Sequence, residues 1–343
     1  MTLPVPVLDR SVVPAADGDG VTVLDRRVFP AQVSWVTCKT PEDVAAAIRD
    51  MVTQSSGPAY AAAAGMALAA RQAAGLRLDD ARARLRAAGE ALATARPTNA
   101  HPREVVDSVL AAASGAATTA ELVAAAVAAA QRADETYRTR SHALGRHTAR
   151  LLPDGARVLT HCWMDGYLIE LVRAADELGR RYRWTATETR PYLQGARLTA
   201  HTLAEMGQDV TLITDSMGAA ALASGRVDAL VTAADRVAMD GSVANKVGTL
   251  GLAAAAARFG VPFYALVQAP DPTTPTGADI VVEERDPAEV LETLGRRTAS
   301  PLVTEAWYPA FDVTPPDLVT RVVTDRGAFE PGRLADYVTT GEA

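Results

Sequence analysis

The sequence predicts an α/β protein, with a parallel sheet in its C-terminal part and a smaller, mostly helical N-terminal domain that carries a few short strands. After residue 153, short β-branched segments alternate with helix-type segments of about 15 to 30 residues, which is typical of βαβ units. Before residue 152 the chain is rich in alanine and has a helical pattern over most of its length. Pro153-Asp154-Gly155 separates the two regions, so we place the domains at 1–152 and 153–343.

The predicted strands of the C-terminal domain are short and β-branched, and several end on polar residues. They are Arg157–His161, Tyr182–Thr187, Asp209–Thr214, Val227–Thr232 and Val261–Val267. In an open parallel sheet, the carboxyl ends of the strands form the crevice where ligands bind. We therefore expect the active site at these strand ends. Near the C-terminus, a final helix is predicted from about Leu318 to Asp325.

The N-terminal domain is predicted to begin with a small β-meander. Val21–Val28 and Gln32–Cys38 have β-type patterns and are separated by Pro30. Thr40 then begins a helix, because a hydroxyl cap is followed by Pro41 at the first helical position and an acid at the third.

The composition is that of an ordinary globular protein. Hydrophobic residues make up 48% and charged residues 22% of the 343 residues, and the net charge is −7. This charge gives no electrostatic footprint for nucleic acid. No apolar segment approaches the length of a membrane span, and the N-terminus lacks the features of a secretory signal. We therefore expect a cytoplasmic protein with no nucleic-acid and no membrane partner.

The sequence does not suggest a metal site or a nucleotide site. Two cysteines are too few for a zinc cluster, and the five histidines show no ligand spacing. The glycine-rich dinucleotide fingerprint and the P-loop pattern are both missing. We therefore expect no metal.

Cys162 follows a predicted strand and precedes Asp165-Gly166, a predicted helix start. A thiol at a helix N-terminus can have a lowered pKa, whereas a free cysteine is often only a small buried hydrophobic residue. His161 should point to the opposite face of the strand, which argues against a Cys–His pair. Both interpretations of Cys162 stay open at this point.

Asp235 follows the apolar segment Leu230–Ala234. A carboxylate in such surroundings is expected to have a raised pKa, which suits a general acid or base. The alternatives are a cap on the next turn or a pair with Arg236. Asn245-Lys246 is predicted to open the following helix, where an amide and a cation can hold an anion or a sugar hydroxyl.

Two further positions could bind an anion. Arg96 lies at an interruption between two helices, where it could hold a phosphate or form an ordinary salt bridge. Gln194 lies between Arg190 and Arg197 on the turn into a helix.

Taken together, these residues resemble the family that contains the methylthioribose-1-phosphate isomerases, the ribose-1,5-bisphosphate isomerases and the regulatory subunits of translation factor 2B. The long and specific matches are Glu188 to Thr199 and the segment from Ala234 through Asn245-Lys246. Shorter matches follow the chain in order: Arg96-Pro97-Thr98, Leu159-Thr160-His161-Cys162, Ile213-Thr214-Asp215-Ser216-Met217, Glu283-Glu284-Arg285-Asp286-Pro287 and Pro309-Ala310-Phe311-Asp312-Val313-Thr314-Pro315.

The resemblance implies a Rossmann-like C-terminal domain without a dinucleotide, a homodimer, and metal-free and cofactor-free aldose–ketose isomerisation of a sugar 1-phosphate. On that template Cys162 and Asp235 match the catalytic pair. Binding of the phosphate and the hydroxyls is implied for Arg96, Gln194, Asn245 and Lys246.

The sequence departs from the family pattern at three places. Ser55 stands where family enzymes carry an arginine that helps to hold the phosphate, although Ser55 and Gly57 remain candidates for substrate binding. Trp163-Met164-Asp165-Gly166 replaces the usual Asn-Ala-Gly after the cysteine, and Tyr308 replaces an asparagine.

These departures leave three hypotheses for the function. The first is isomerisation of methylthioribose 1-phosphate to methylthioribulose 1-phosphate in methionine salvage. The second is the same reaction on a 5-deoxy or otherwise modified pentose phosphate. The third is a non-catalytic sugar-phosphate or nucleotide sensor, which the retention of both Cys162 and Asp235 disfavours.

Overall fold

The structure is a computed structural model that describes residues 3–15, 19–96 and 99–340. The chain divides into two compact units. One comprises Val7–Thr139, and the other comprises Met1–Pro6 with Arg140–Ala343. The division lies inside a long helix, earlier than the change in composition at residues 152–153, and the domain boundary at that change stays a prediction.

The first unit, called the helical unit below, combines one antiparallel sheet with a set of helices. Its strands and helices are β1 (Val12–Pro14), β2 (Val21–Leu24), β3 (Trp35–Cys38), α1 (Pro41–Arg49), α2 (Gly57–Gln72), α3 (Leu78–Thr94), α4 (His101–Ala113) and the first part of α5 (Thr119–Leu151), with a 3-10 turn at Val7–Arg10. The sheet has the order β1-β2-β3. The predicted meander is confirmed, with one additional strand before it.

The predicted start of α1 is confirmed by a reciprocal capping box. The amide of Asp43 donates to Thr40 Oγ1 at 3.1 Å, and the amide of Thr40 donates to Asp43 Oδ2 at 2.9 Å. Each of these bonds satisfies a backbone donor that the helix itself leaves without a partner.

Small residues let the helices of this unit pack closely. Helix α2 is buried along most of its length, as expected for a helix that is apolar on all sides. A Cβ at Gly89 in α3 would lie 2.8 Å from a methyl group of Val106 in α4. The helices approach so closely that only small residues fit between them, which explains the alanine-rich composition of this unit.

The second unit, called the α/β unit below, is built on a seven-stranded sheet. Its strands are β4 (Arg157–Thr160), β5 (Arg183–Thr187), β6 (Asp209–Ile213), β7 (Ala229–Ala233), β10 (Phe263–Leu266), β14 (Arg321–Val323) and β15 (Ala328–Phe329). The first six are parallel to their neighbours, and β15 is antiparallel to β14. The prediction of a parallel α/β sheet is confirmed, and all five predicted strands are present with ends shifted by a few residues.

The strand order places a topological switch in the middle of this sheet. The order is β15-β14-β10-β7-β4-β5-β6, so the chain runs outward from β4 to β6 and then returns to the other side at β7. Among the six parallel strands this is the 3-2-1-4-5-6 order of doubly wound sheets, in which ligands bind outside the carboxyl ends at the switch point. Cys162 follows β4, and Asp235 follows its neighbour β7.

The remaining elements of the α/β unit connect or extend this sheet. They are α6 (Gly166–Glu177), a π-helix at Gly195–Thr199, α7 (Ala200–Glu205), α8 (Gly218–Ala223), β8 (Arg236–Val237), β9 (Val243–Lys246), α9 (Thr249–Arg258), α10 (Ala288–Leu291), β11 (Glu292–Thr293), β12 (Arg296–Arg297), β13 (Phe311–Thr314) and α11 (Ala335–Thr339), with 3-10 turns at Asp215–Met217, Gly277–Asp279, Pro316–Leu318 and Pro331–Arg333. Strands β8, β9 and β13 form a separate antiparallel sheet.

Two predictions about local structure were wrong. The final helix expected near Leu318 to Asp325 is replaced by strand β14, because Val322 and Val323 pair with β10, next to one edge of the sheet. Asn245 and Lys246 do not open a helix but end strand β9, and α9 begins later, at Thr249. Tertiary pairing overrides local propensity in both segments.

Candidate active site

The backbone at Cys162 has an uncommon conformation that neighbouring hydroxyl groups hold in place. Cys162 has a φ of +64°, in the left-handed region that non-glycine residues rarely adopt. Its amide donates to Thr189 Oγ1 at 2.9 Å, and its carbonyl oxygen accepts from the hydroxyl of Thr199. Thr189 is itself left-handed, with a φ of +63°. Strained residues that their surroundings fix in this way are concentrated at functional sites.

The thiol of Cys162 is held in its neutral form. Burial raises its pKa to about 11, while the ammonium group of Lys246 acts in the opposite direction and the charge of Asp235 adds to the rise. The expectation of a pKa lowered by a helix N-terminus was therefore wrong. Helix α6 begins only at Gly166, and loss of solvation at the thiol dominates.

His161 is turned away from the thiol and is fixed by two partners. Its Nε2 lies 3.0 Å from the carbonyl oxygen of Val247, and its Nδ1 lies 2.6 Å from Thr187 Oγ1. A carbonyl can only accept, so Nε2 carries the proton and Nδ1 accepts from the threonine hydroxyl. Burial lowers the pKa of the imidazole. The prediction that Cys162 and His161 do not form a pair is confirmed.

Asp235 lies in the short connection between β7 and β8. Its amide donates to the carbonyl oxygen of Ala244 at 2.9 Å, which ties this connection to β9. The Asp235 carboxylate is exposed, so the apolar surroundings expected for it from the sequence were wrong. Its charge adds to the rise in the pKa of the Cys162 thiol. Arg236 was considered from the sequence as a partner of Asp235. Its Nε lies 3.4 Å from Oδ2 of Asp271.

Lys246 and Asn245 enter this site from the antiparallel sheet. Lys246 is buried, and its Nζ lies 4.9 Å from the ring centroid of Phe311 and 5.5 Å from that of Tyr308. Aromatic faces favour a cation at such distances. The Asn245 amide donates to Thr249 Oγ1 at 2.9 Å. Lys246 is therefore a buried positive charge close enough to lower the pKa of the Cys162 thiol.

Gln194 offers an unused acceptor at the start of the π-helix. The residue is 4% exposed, and no hydrogen-bond partner of its Oε1 is found among the described residues. A Cβ at the next residue, Gly195, would lie 1.8 Å from the carbonyl oxygen of Thr187. Only glycine allows the helix to start so close to β5, and this start positions the Gln194 amide.

Tyr308 is a site residue that the sequence identified only as a departure from the family pattern. It is buried, its ring contacts the Lys246 ammonium, and burial raises the pKa of its hydroxyl. The charge state of Cys162 also acts on that hydroxyl, so Tyr308 lies near the thiol. Its position directly before the Pro309 motif is the signal that could have identified it.

The remaining predicted residues lie together in the helical unit. Nη1 of Arg96 lies 2.9 Å from Met51 Sδ, and the amide of Asn99 donates to the carbonyl oxygen of Ser55 at 3.3 Å. Gly57 begins helix α2. Arg96, Ser55 and Gly57 therefore belong to one locus, and Cys162, Gln194, Asp235, Asn245 and Lys246 belong to the α/β unit. Pro97 and Thr98 of the predicted motif lie outside the described residues.

The described part of the chain contains neither a metal-binding cluster nor a membrane-spanning helix. Within residues 3–15, 19–96 and 99–340, no cluster of three or more His, Cys, Asp or Glu side chains could hold a metal ion. No helix in these ranges is long and apolar enough to cross a membrane.

A partly buried thiol, an exposed carboxylate and a buried ammonium at the switch point of a doubly wound sheet define an α/β enzyme site. The sequence matches the family model described as the initiation factor 2 subunit family over residues 52–331. The chain belongs to this family.

Relatives and solved structures specify the activity further. The chain is 44% identical over 338 residues to a methylthioribose-1-phosphate isomerase from Anaeromyxobacter sp. (strain K), a match that covers 95% of both chains. It is 41% identical to an enzyme of that name from Pelotomaculum thermopropionicum, over 92% of this chain and 90% of the other. These relatives show that the chain is an isomerase.

Two solved structures share the fold over nearly the whole chain. A 5-methylthioribose 1-phosphate isomerase from Pyrococcus horikoshii has a TM-score of 0.88 and 29% identity, and the match covers 98% of each chain. A protein described as translation initiation factor eIF-2B, subunit delta, from A. fulgidus has a TM-score of 0.84 and 33% identity, with coverage of 97% and 99%.

Proposed function

We propose that this chain converts methylthioribose 1-phosphate, or a closely related 5-deoxy or modified pentose 1-phosphate, to the corresponding 1-phosphoketose. The observation that carries the proposal is the placement of Cys162 and Asp235 after β4 and β7, adjacent strands at the switch point. The relatives that cover 95% of the chain support the choice of substrate. The proposal includes a homodimer and a cytoplasmic location, which stay predictions.

The chemistry assigns different tasks to the two residues. The 1-phosphate blocks the anomeric hydroxyl, so the ring opens only when an acid protonates the ring oxygen and the bond from that oxygen to C1 breaks. In the proposal Asp235 is this acid. Hydrogen then passes from C2 to C1 with the assistance of Cys162, and the C2 hydroxyl becomes the carbonyl as its proton returns to the Asp235 carboxylate. Every atom of the substrate is retained in the product.

The electrostatics of the site support a neutral thiol in this role. With a pKa of about 11, Cys162 carries its proton near neutral pH. A protonated thiol is a poor nucleophile, and it is suited to assisting hydrogen transfer at carbon. In the proposal Lys246, Asn245 and Gln194 hold hydroxyl and phosphate oxygens of the substrate.

The first experiment is turnover of methylthioribose 1-phosphate by the purified protein, with 5-deoxyribose 1-phosphate and ribose 1,5-bisphosphate measured alongside. Cys162→Ser and Asp235→Asn should each lower kcat by about 10² to 10⁴. Cys38→Ser and Asp209→Asn are matched controls, because Cys38 is a buried cysteine of the helical unit and Asp209 is an exposed carboxylate. Near wild-type activity in either site variant would refute its assigned role.

The alternative is a non-catalytic sugar-phosphate or nucleotide sensor. The similarity to the A. fulgidus protein is the observation in its favour. A sensor would bind a sugar phosphate without converting it, and Asp235→Asn would leave that binding unchanged. Absence of turnover on all three sugars, with binding retained, would favour this alternative.

A further inference from the structure

Arg26 is an arginine with no solvent exposure, in a part of the helical unit to which the sequence assigned no role. It lies just after strand β2. Its amide donates to the carbonyl oxygen of Val52 at 3.0 Å, and its Nη1 donates to the carbonyl oxygen of Gln54 at 2.7 Å. Nη2 donates to Ser11 Oγ at 2.7 Å. Arg26 therefore binds the segment Met51–Gly57 through its backbone amide and through its guanidinium group.

This segment has a strained backbone at two non-glycine positions. Met51 has a φ of +60° and Ser55 a φ of +55°. Such conformations persist only where the surroundings fix them, and they are concentrated at functional sites. Arg96 also contacts Met51 in this segment, and the Asn99 side-chain amide donates to the carbonyl oxygen of Ser55. Two guanidinium groups thus lie against one short stretch of chain.

The same segment leads into the N-terminus of α2, a 16-residue helix. A helix N-terminus attracts anions through its dipole. The amides of Gly57, Ala59 and Tyr60 already donate to backbone carbonyl oxygens, so it is the dipole that is available to an anion here. A Cβ at Gly57 would lie 1.8 Å from Thr53 Oγ1 and 3.2 Å from Arg26 Nη2. The Thr53 hydroxyl and the Arg26 guanidinium therefore lie close to Gly57, the first residue of α2. Any larger residue at this position would clash with the hydroxyl.

Two buried polar groups give a second, independent indication of a ligand. Thr53 is 0% and Gln54 is 4% exposed, and Thr53 Oγ1 and Gln54 Nε2 have no hydrogen-bond partner within the described ranges. Leaving such groups unsatisfied is costly, and an unsatisfied group calls for an explanation such as a ligand. A donor amide and a hydroxyl suit an anion with several oxygens, and the positive charge of Arg26 lies beside them.

We infer that Arg26 is a positioning residue that places positive charge behind Met51–Gly57 and so helps to hold a phosphate group at the start of α2. A buried charge is screened weakly, and its field reaches an anion at the helix start without direct contact. Ser55 is uncharged, so the positive charge next to this segment includes that of the buried Arg26 guanidinium. Naming the anion as the substrate's phosphate rests on the proposed function, whereas the anion site itself does not.

The test begins with inorganic phosphate, titrated by calorimetry into the full-length protein. Arg26→Gln should weaken phosphate binding by about tenfold or more, the range of a charge-assisted bond. Arg26→Lys, which keeps the charge, should retain most of the affinity. Arg71→Gln, which removes an exposed arginine of α2, is the matched control and should leave binding unchanged.

A second variant keeps the test decisive if Arg26→Gln does not fold. Thr53→Val replaces a buried hydroxyl by a methyl group of similar size. It should weaken phosphate binding several-fold while leaving the Tm equal or higher, because an unsatisfied polar group is removed. Failure of the wild type to bind phosphate, or unchanged affinity in Arg26→Gln or Thr53→Val, would overturn the inference.

Turnover separates this inference from the proposed function. On methylthioribose 1-phosphate, Arg26→Gln should raise KM by about tenfold with kcat nearly unchanged. Ser55→Arg should restore KM in the Arg26→Gln background, because it returns positive charge to the same segment. If no sugar phosphate is turned over while the phosphate affinities change as expected, the proposed function fails and the inference stands. Loss of kcat without a change in KM or in phosphate affinity would indicate a merely structural role for Arg26.

Discussion

The protonation state of Cys162 can be tested directly by alkylation. Burial raises the pKa of this thiol to about 11, from an ordinary value of 9.0. At pH 8, therefore, roughly one thiol in a thousand is ionised, compared with about one in ten for an ordinary cysteine of pKa 9. Because only the thiolate reacts, Cys162 should be alkylated about a hundredfold more slowly than the same cysteine in the unfolded chain.

The assay is iodoacetamide labelling at pH values from 7 to 11, with the Cys162 peptide quantified by mass spectrometry and folding checked by circular dichroism. The rate should rise about tenfold per pH unit until pH 11 is approached. The chain unfolded in guanidinium is the reference, since there the rate should level off near pH 9. Limited access of iodoacetamide to the thiol would lower the labelling rate by the same factor at every pH, so it would not change the pH midpoint of the curve.

Lys246→Met is the matching perturbation. The Lys246 ammonium lowers the pKa of Cys162 against the larger effect of burial, so its removal should shift the labelling curve to higher pH. A rate that levels off at or below pH 9 in the folded wild type would refute the argument from burial. A shift to lower pH in Lys246→Met would refute the assigned electrostatic contact.

Three further predictions concern stability and binding. Gly195→Ala should lower the free energy of unfolding by about 1 to 3 kcal/mol, because the new methyl group would lie 1.8 Å from the Thr187 carbonyl oxygen. Urea denaturation measures this loss, and Gly251→Ala, where no atom lies within 4 Å of the added Cβ, should show none. Gln194→Met should raise KM about tenfold without lowering the Tm, because the Oε1 acceptor is unused within the folded chain; an unchanged KM would exclude Gln194 from substrate binding. Burial and the nearby Asp43 raise the pKa of Cys38 to about 11. Below pH 9 both the folded and the unfolded state keep the Cys38 proton. From pH 9 to 11 the unfolded state ionises first, so stability falls by up to about 2.7 kcal/mol, and Cys38→Ala should make the Tm fall less steeply over this range.

The parallel sheet could be predicted because its strands carry their signal locally. β4, β5, β6, β7 and β10 are short β-branched segments between helical ones, and no other element is needed to recognise them. Strand β14 was missed because Arg321–Val323 becomes a strand only through pairing with β10. A segment this short has little propensity of its own, and the preceding 3-10 turn at Pro316–Leu318 resembles a helix start.

The candidate site was predicted in its residue types but not in its electrostatics. The strand-end positions of Cys162 and Asp235 follow from the alternation of elements. The pKa of a thiol depends on its burial and on nearby charges, and Lys246, whose ammonium acts on Cys162, is distant in sequence. Arg26 was missed for the same reason, since nothing around Asp25-Arg26-Arg27 in the sequence reveals that the middle residue is fully buried.

The pairing of β9 with β13 decides which side chain faces the thiol. Phe311 lies opposite Lys246 and Asp312 opposite Asn245. Side chains alternate along a strand, so a slip of one residue would turn the Lys246 ammonium away from the thiol. The Asp312 carboxylate accepts from the amides of Gly248 at 2.7 Å and Leu250 at 3.1 Å, and this contact locks the alignment. The Asp312 carboxylate thus sets, through two backbone amides, the charge that lies beside the Cys162 thiol. Loss of this contact would change the electrostatics of the candidate site while all of its proposed residues are still present.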